Sequence, residues 1–130
     1  MKRILAPAVF LFLLSVQPAH ASDSAASYVD LRDGPTISVD WSKGSTQFVT
    51  LHGNRTFEFL NGEKGKHYTV AIAQDATGSR TVTFPSSVRW PGVTPPMNPP
   101  LLTATANKTD YVTFIYNGVT YDALGVARNY

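Results

Sequence analysis

The sequence predicts an all-β fold, a small antiparallel β-sandwich or barrel-like domain of about eight short strands. Three observations carry this. Short runs from Thr36 onward alternate apolar and polar side chains with the period of two that a half-buried strand requires. Each run is bounded by Gly, Pro, Asn, Asp or Ser, the residues of a reversing chain. No amphipathic helical period follows the first 21 residues.

Those first residues are an address rather than structure. Lys2 and Arg3 precede the apolar run Ile4 to Val16, and Pro18-Ala19-His20-Ala21 closes it with small residues at the cleavage positions. Residues 1–21 thus read as a secretory signal peptide. The run is too short for a stable membrane anchor, which needs roughly 20 residues, and no Cys follows to take a lipid. The expected destination is the periplasm or the outside of the cell. Residues 22–35 form a polar leader, expected to be partly disordered, with a short strand within Tyr28 to Pro35. Residues 36–130 form the β domain.

Thr36 to Trp41 places Ile37, Val39 and Trp41 on one face, and Ser42-Lys43-Gly44-Ser45 turns the chain. Thr46 to Leu51 sets Gln47, Val49 and Leu51 against Phe48, and Arg55 to Leu60 sets Phe57 and Phe59 on one side. Gly65 to Pro91 is the organising stretch. Tyr68, Val70 and Ile72 alternate with Thr69, Ala71 and Ala73; Asp75 to Ser79 turns, and Arg80 to Phe84 is expected to return as the second arm of a hairpin. Pro85 and Pro91 cannot donate to a ladder, so Trp90 between them is expected to plug the sheet at its rim. Pro91 to Pro100 reads as a stiff connection across the end of the sandwich. Leu101 to Ala106 is expected to be a strand, and Asp110 to Tyr116 a central one covered on both faces. Asn117-Gly118 predicts a two-residue type I′ turn, returning the chain through Tyr121 to Val126.

Charge and composition exclude several functions. The chain has 11 Lys and Arg against 9 Asp and Glu, but Lys2 and Arg3 leave with the signal peptide, so the mature domain is formally neutral. A neutral domain lacks the basic footprint of a nucleic-acid binder. The absence of Cys removes disulfides, thiol nucleophiles and thiolate metal sites. Of the mature histidines, His52 and His67 have no third ligand at metal-like spacing. No Ser sits in a nucleophile elbow, and the carboxylates Asp40, Glu58, Asp110 and Asp122 are dispersed. Asp75 and Arg80 read as a pair that fixes their turn. Asn54-Arg55-Thr56 and Asn107-Lys108-Thr109 match a glycosylation pattern but read as turn residues. Neither an enzyme, a cofactor nor a metal site is expected.

As a set, residues 41–46 (WSKGST), 53–59 (GNRTFEF), 61–69 (NGEKGKHYT), 74–92 (QDATGSRTVTFPSSVRWPG), 105–110 (TANKTD), 114–118 (FIYNG) and the final Asn129-Tyr130 resemble a domain found at the end of bacteriophage tail fibre and minor structural proteins. The resemblance covers Thr36 to Tyr130, and its specific part is the QDATGSRTVTFPS element at residues 74–86. It implies a non-enzymatic structural or adhesive module at the distal part of a fibre, assembled as a homotrimer and binding a cell-surface glycan or protein. The competing reading is a secreted lectin-like module, with Trp41, Trp90, Tyr116, Tyr121 and Tyr130 as candidate stacking platforms for sugar rings.

Overall fold

The computed structural model describes residues 28–92 and 102–130. Residues 1–21, read above as a signal peptide, the Ser22–Ser27 leader and most of the proline-rich connection lie outside the described residues. Among the described residues nine strands form two sheets: β1 (Val29–Asp30), β2 (Thr36–Asp40), β3 (Thr46–Leu51), β4 (Arg55–Leu60), β5 (His67–Gln74), β6 (Val82–Thr83), β7 (Val88–Arg89), β8 (Thr109–Tyr116) and β9 (Tyr121–Ala127). The larger sheet has the order β1-β3-β5-β8-β9-β7 and the smaller β2-β4-β6. The all-β class holds, but the pairing differs from the expected antiparallel one: five of the seven strand pairs are parallel.

The reason is how the chain travels. From β1 to β6 it crosses to the opposite sheet after every strand, so it re-enters each sheet running in its earlier direction. β1, β3 and β5 therefore stack in parallel on one side, and β2, β4 and β6 on the other. In the larger sheet only β8 runs the other way, antiparallel to both β5 and β9.

Alternation then sends one side of every long strand inward. Ile37 and Val39, Val49 and Leu51, Phe57, Tyr68, Val70 and Ile72, and Val112 and Phe114 are buried between the sheets. Fully burying one such side chain contributes about 1.5–3 kcal/mol, and with no disulfide this burial is the main stabiliser. Trp41 stacks on Tyr68 at 4.6 Å. Trp90 is buried against Phe84 and Phe114, with ring centroids at 5.0 and 6.1 Å, the rim plug its flanking prolines imply. Gln47, also buried, donates to the Asp40 and Gly44 carbonyls at 2.7 and 2.9 Å, tying the 3-10 turn Trp41–Lys43 to β3.

Five further expectations change. The Gly65–Pro91 hairpin does not form: β5 is already flanked by β3 and β8, and the Asp75–Ser79 turn sends the chain across the core, where β6 joins β4. Within Leu101 to Ala106, the described residues Leu102 to Ala106 are not a strand. Their backbone serves that turn instead, with the Ala104 carbonyl accepting from Ser79 N–H at 2.7 Å. β8 is central but covered on one face only, since Tyr111, Thr113 and Ile115 remain half-exposed. The β8–β9 hairpin is real, yet Tyr116 pairs with Tyr121 across a four-residue loop, and positive φ falls on Gly118 alone rather than on both Asn117 and Gly118. Finally, the ordered domain begins before Thr36. β1 pairs with β3, and Asp33 accepts two bonds from Arg55, both 2.7 Å.

Candidate interaction surface

With the core claiming the inward positions, the alternate residues of the larger sheet face out. In register they form two rows: Thr46, Thr69, Thr113 and Gly125, and beside it Phe48, Ala71, Tyr111 and Ala127, of which Ala71 is fully covered. From β3 across to β9 neither row contains a charged side chain. Thr69 and Thr113 join their hydroxyls at 3.0 Å.

A bulge shapes this face. Thr113 pairs with Gly125 but Phe114 with Ala123, so Leu124 is the extra residue of β9 and stands 53% exposed. Beside it lies an open groove of about 360 Å³ lined by Tyr111, Thr113, Leu124, Gly125, Val126 and Ala127. Gly125 leaves its floor free, with no atom within 4 Å of where a Cβ would stand.

Tyr111, which lines the groove, has tyrosine neighbours. Tyr130 meets Tyr111 edge-on at 5.7 Å, and Tyr28 meets Phe48 edge-on at 6.5 Å. The C-terminal Tyr130 is held in place by the backbone: its N–H donates to the Thr109 carbonyl at 3.1 Å and its carbonyl accepts from Thr109 N–H at 2.9 Å. Asn129 N–H donates to the buried Asp110 carboxylate at 2.9 Å. Partial burial pushes the Tyr111 hydroxyl above its ordinary pKa, and the neighbouring Tyr28 and Tyr130 add to that shift. The Tyr111 phenol therefore acts as a neutral donor and acceptor near pH 7.

The five aromatic residues singled out from the sequence separate sharply. Trp41, Trp90 and Tyr121 are 3%, 7% and 4% exposed, so they are core residues and not stacking platforms. Their rings fill the space between sheets of unequal width, which one-dimensional alternation does not reveal. Tyr116 is half-buried and stacked on Tyr121 at 4.4 Å, its hydroxyl donating to the Gly118 carbonyl. Tyr130, 68% exposed, is the member of the set with an open ring. Tyr28, Tyr111 and Leu124 went unmarked. Tyr111 was legible as the off-core side of β8, whereas Leu124 depends on a bulge that no sequence signal marks.

The polar clusters fasten turns. Asp75 accepts from the Thr77 and Gly78 N–H groups at 3.1 and 3.0 Å and pairs with Arg80 at 3.0 Å, which holds its carboxyl down to about 2. Arg89 pairs with Asp122 at 2.6 and 2.7 Å, with the same result. His52 lies 3.3 Å from Asp33, while His67 is exposed at the start of β5, opposite Ile115. Among the described residues, no three His, Asp or Glu side chains are grouped so as to hold a metal ion.

A wound two-sheet domain, stapled at its turns and presenting a sheet face whose central rows from β3 to β9 carry no charge, is a structural β module. The chain belongs to the family described as "Putative phage tail fibre C-terminal domain", whose model matches residues 35–121. That span includes the QDATGSR turn, Tyr111 and Thr113, while Tyr28, Leu124 to Ala127 and Tyr130 lie outside it. Comparison with curated proteins and with solved structures returned no match.

Proposed function

We propose that this chain is exported and works by contact rather than chemistry, as a structural and adhesive module whose gripping surface is the outer face of the larger sheet. The single observation behind this reading is the Tyr111–Tyr130 pair beside the groove. Together with Tyr28 it offers rigid amphipathic rings next to hydroxyl-bearing rows that carry no charge from β3 to β9, the composition that contact surfaces favour. Membership of a fibre-end family supports a structural role in a multi-copy setting. Lys2, Arg3, the Ile4–Val16 run and Ala19-His20-Ala21 support export.

The target is a cell-surface glycan or protein. The lectin reading now rests on Tyr130 and its neighbours and no longer on the buried tryptophans. To test both, the secreted chain is applied to a glycan array and to intact bacterial cells. Variants Tyr130→Ser and Gly125→Arg strip the ring and fill the groove without entering the core. Binding that falls by about tenfold or more in both variants, at unchanged melting temperature, supports this surface. Binding that survives both removes it, and binding to cells but to no glycan assigns the target to protein.

A further inference from the structure

We propose that β2 is a docking edge for a second copy of this chain, the two Thr36–Asp40 strands pairing antiparallel about a two-fold axis at Ser38. The small sheet would then run continuously through both copies as six strands.

The four sheet edges are unequal. β1, β6 and β7 are two residues long, short enough to offer a neighbour no useful ladder, which is how proteins blunt an edge. β2 is different. Its five residues, TISVD, lie in unbroken register on β4, with no bulge, Pro, Gly or Lys among them. It is also where the parallel winding of the small sheet starts, so no earlier coil among the described residues stacks on it.

The backbone shows which groups face outward. Thr56 N–H donates to the Pro35 carbonyl at 3.0 Å. Both main-chain groups of a strand residue point to one side and alternate along the chain, so Ile37 and Val39 face β4 while Thr36 and Ser38 turn N–H and C=O to the open side. No described residue bonds to those four groups. Pairing about Ser38 would join the two Ser38 residues by two hydrogen bonds and set Thr36 opposite Asp40 of the second copy.

Side chains agree with this register. No like charges oppose each other directly, since each Asp40 faces a Thr36. Glu58 accepts from Ser38 at 3.1 Å and lies one strand inside the edge, which leaves the two Glu58 residues about three strand spacings, or 14 Å, apart. That exceeds the screening length of about 8 Å at physiological salt. On the inner side Ile37 would meet Val39 of the second copy, extending the apolar row across the axis. The two-fold contact is self-complementary and closes on two copies.

The test is light scattering on the secreted chain over a dilution series, with amide hydrogen exchange on the same samples. The expected result is two chains at high concentration and one on dilution. Thr36 and Ser38 amide protection should rise about tenfold with concentration, while Val82 and Val88 stay unchanged. Ser38→Pro removes the outward N–H without touching the β4 ladder, and Ser38→Lys sets two charges face to face; either should give a single chain with unchanged circular dichroism. If both variants fail to fold, the exchange pattern of the natural chain decides. One chain at every concentration, a mass of three chains, dimers that persist in both folded variants, or Thr36 and Ser38 amides already protected at high dilution would each overturn the proposal.

Discussion

The hydroxyl of Tyr121 and the main-chain N–H of Gly62 are joined by a 3.1 Å hydrogen bond across 59 residues of chain. It ties the loop after β4 to the start of β9. Gly62 is required by proximity and not by its φ, because a Cβ there would run into the Tyr121 phenol. Gly62→Ala is therefore expected to destabilise the domain by about 1–3 kcal/mol through overpacking. Tyr121→Phe, which removes the acceptor alone, should cost about 0.5–1.5 kcal/mol. Urea unfolding of the two variants checks the order; Gly62→Ala as stable as the natural chain would contradict the contact.

Gly78 and Gly65 separate two reasons for glycine. Both have positive φ, +75° and +89°, but a Cβ on Gly78 would sit 2.6 Å from the Ala104 carbonyl oxygen, whereas one on Gly65 meets nothing within 4 Å. Gly65→Ala should cost about 1–2 kcal/mol, from the left-handed backbone alone. Gly78→Ala must in addition push the 102–106 segment away from the turn. Thermal melts should place its loss clearly beyond that of Gly65→Ala, and equal losses would refute the packing of that segment.

Gln74 is the anchor of the same turn. Buried at 3% exposure, it donates to the Arg80 and Thr103 carbonyls and accepts from Arg80 N–H, each at 2.9 Å. Gln74→Leu keeps the size but strands three main-chain groups, at about 1–3 kcal/mol for each one left unpaired. Thr77→Ala, exposed two residues beyond Asp75, should stay within about 0.5 kcal/mol. Chemical denaturation midpoints that do not separate the two would exclude this role for Gln74.

Acid should weaken the fold through its paired carboxylates. Asp75 and Asp122 are held down to about 2, chiefly by hydrogen bonds from Arg80 and Arg89, against an ordinary 3.8. Asp33 is lowered in the same direction by Arg55. A carboxyl depressed in the folded state binds fewer protons there than in the unfolded chain. Its stabilisation is thus complete above about pH 5 and is lost as pH falls through 4 towards 2. Melting temperature should drop over that interval, and Asp75→Asn should lower the value at pH 7 while making the drop shallower. An unchanged acid limb in that variant would show that the pair is not coupled to folding.

Much of the local structure was legible because alternation and turn residues act over a few positions. Thr46–Leu51 and Arg55–Leu60 coincide with β3 and β4 residue for residue. The Asp75–Arg80 pair holds its turn as the residue types suggest. The hairpin between β5 and β6 failed because a turn shows that the chain changes direction without showing which sheet it enters. The site was less legible. Of the five candidate aromatics most are expected in the core, but alternation does not say which, and Trp41, Trp90 and Tyr121 are the ones that fill the space between the two sheets.

From its order of residues alone, this protein is committed to β structure, to turns at defined positions, to a charge balance of zero over residues 22–130 and to kinship with fibre-end modules. Those properties are local or compositional and survive in one dimension. Strand direction, the winding between two sheets, the bulge that lifts Leu124 and the meeting of Tyr28 and Tyr130 at Tyr111 were decided only in three dimensions. A period of two is the same for parallel and antiparallel neighbours, so partner choice falls to packing between residues that lie far apart in the chain.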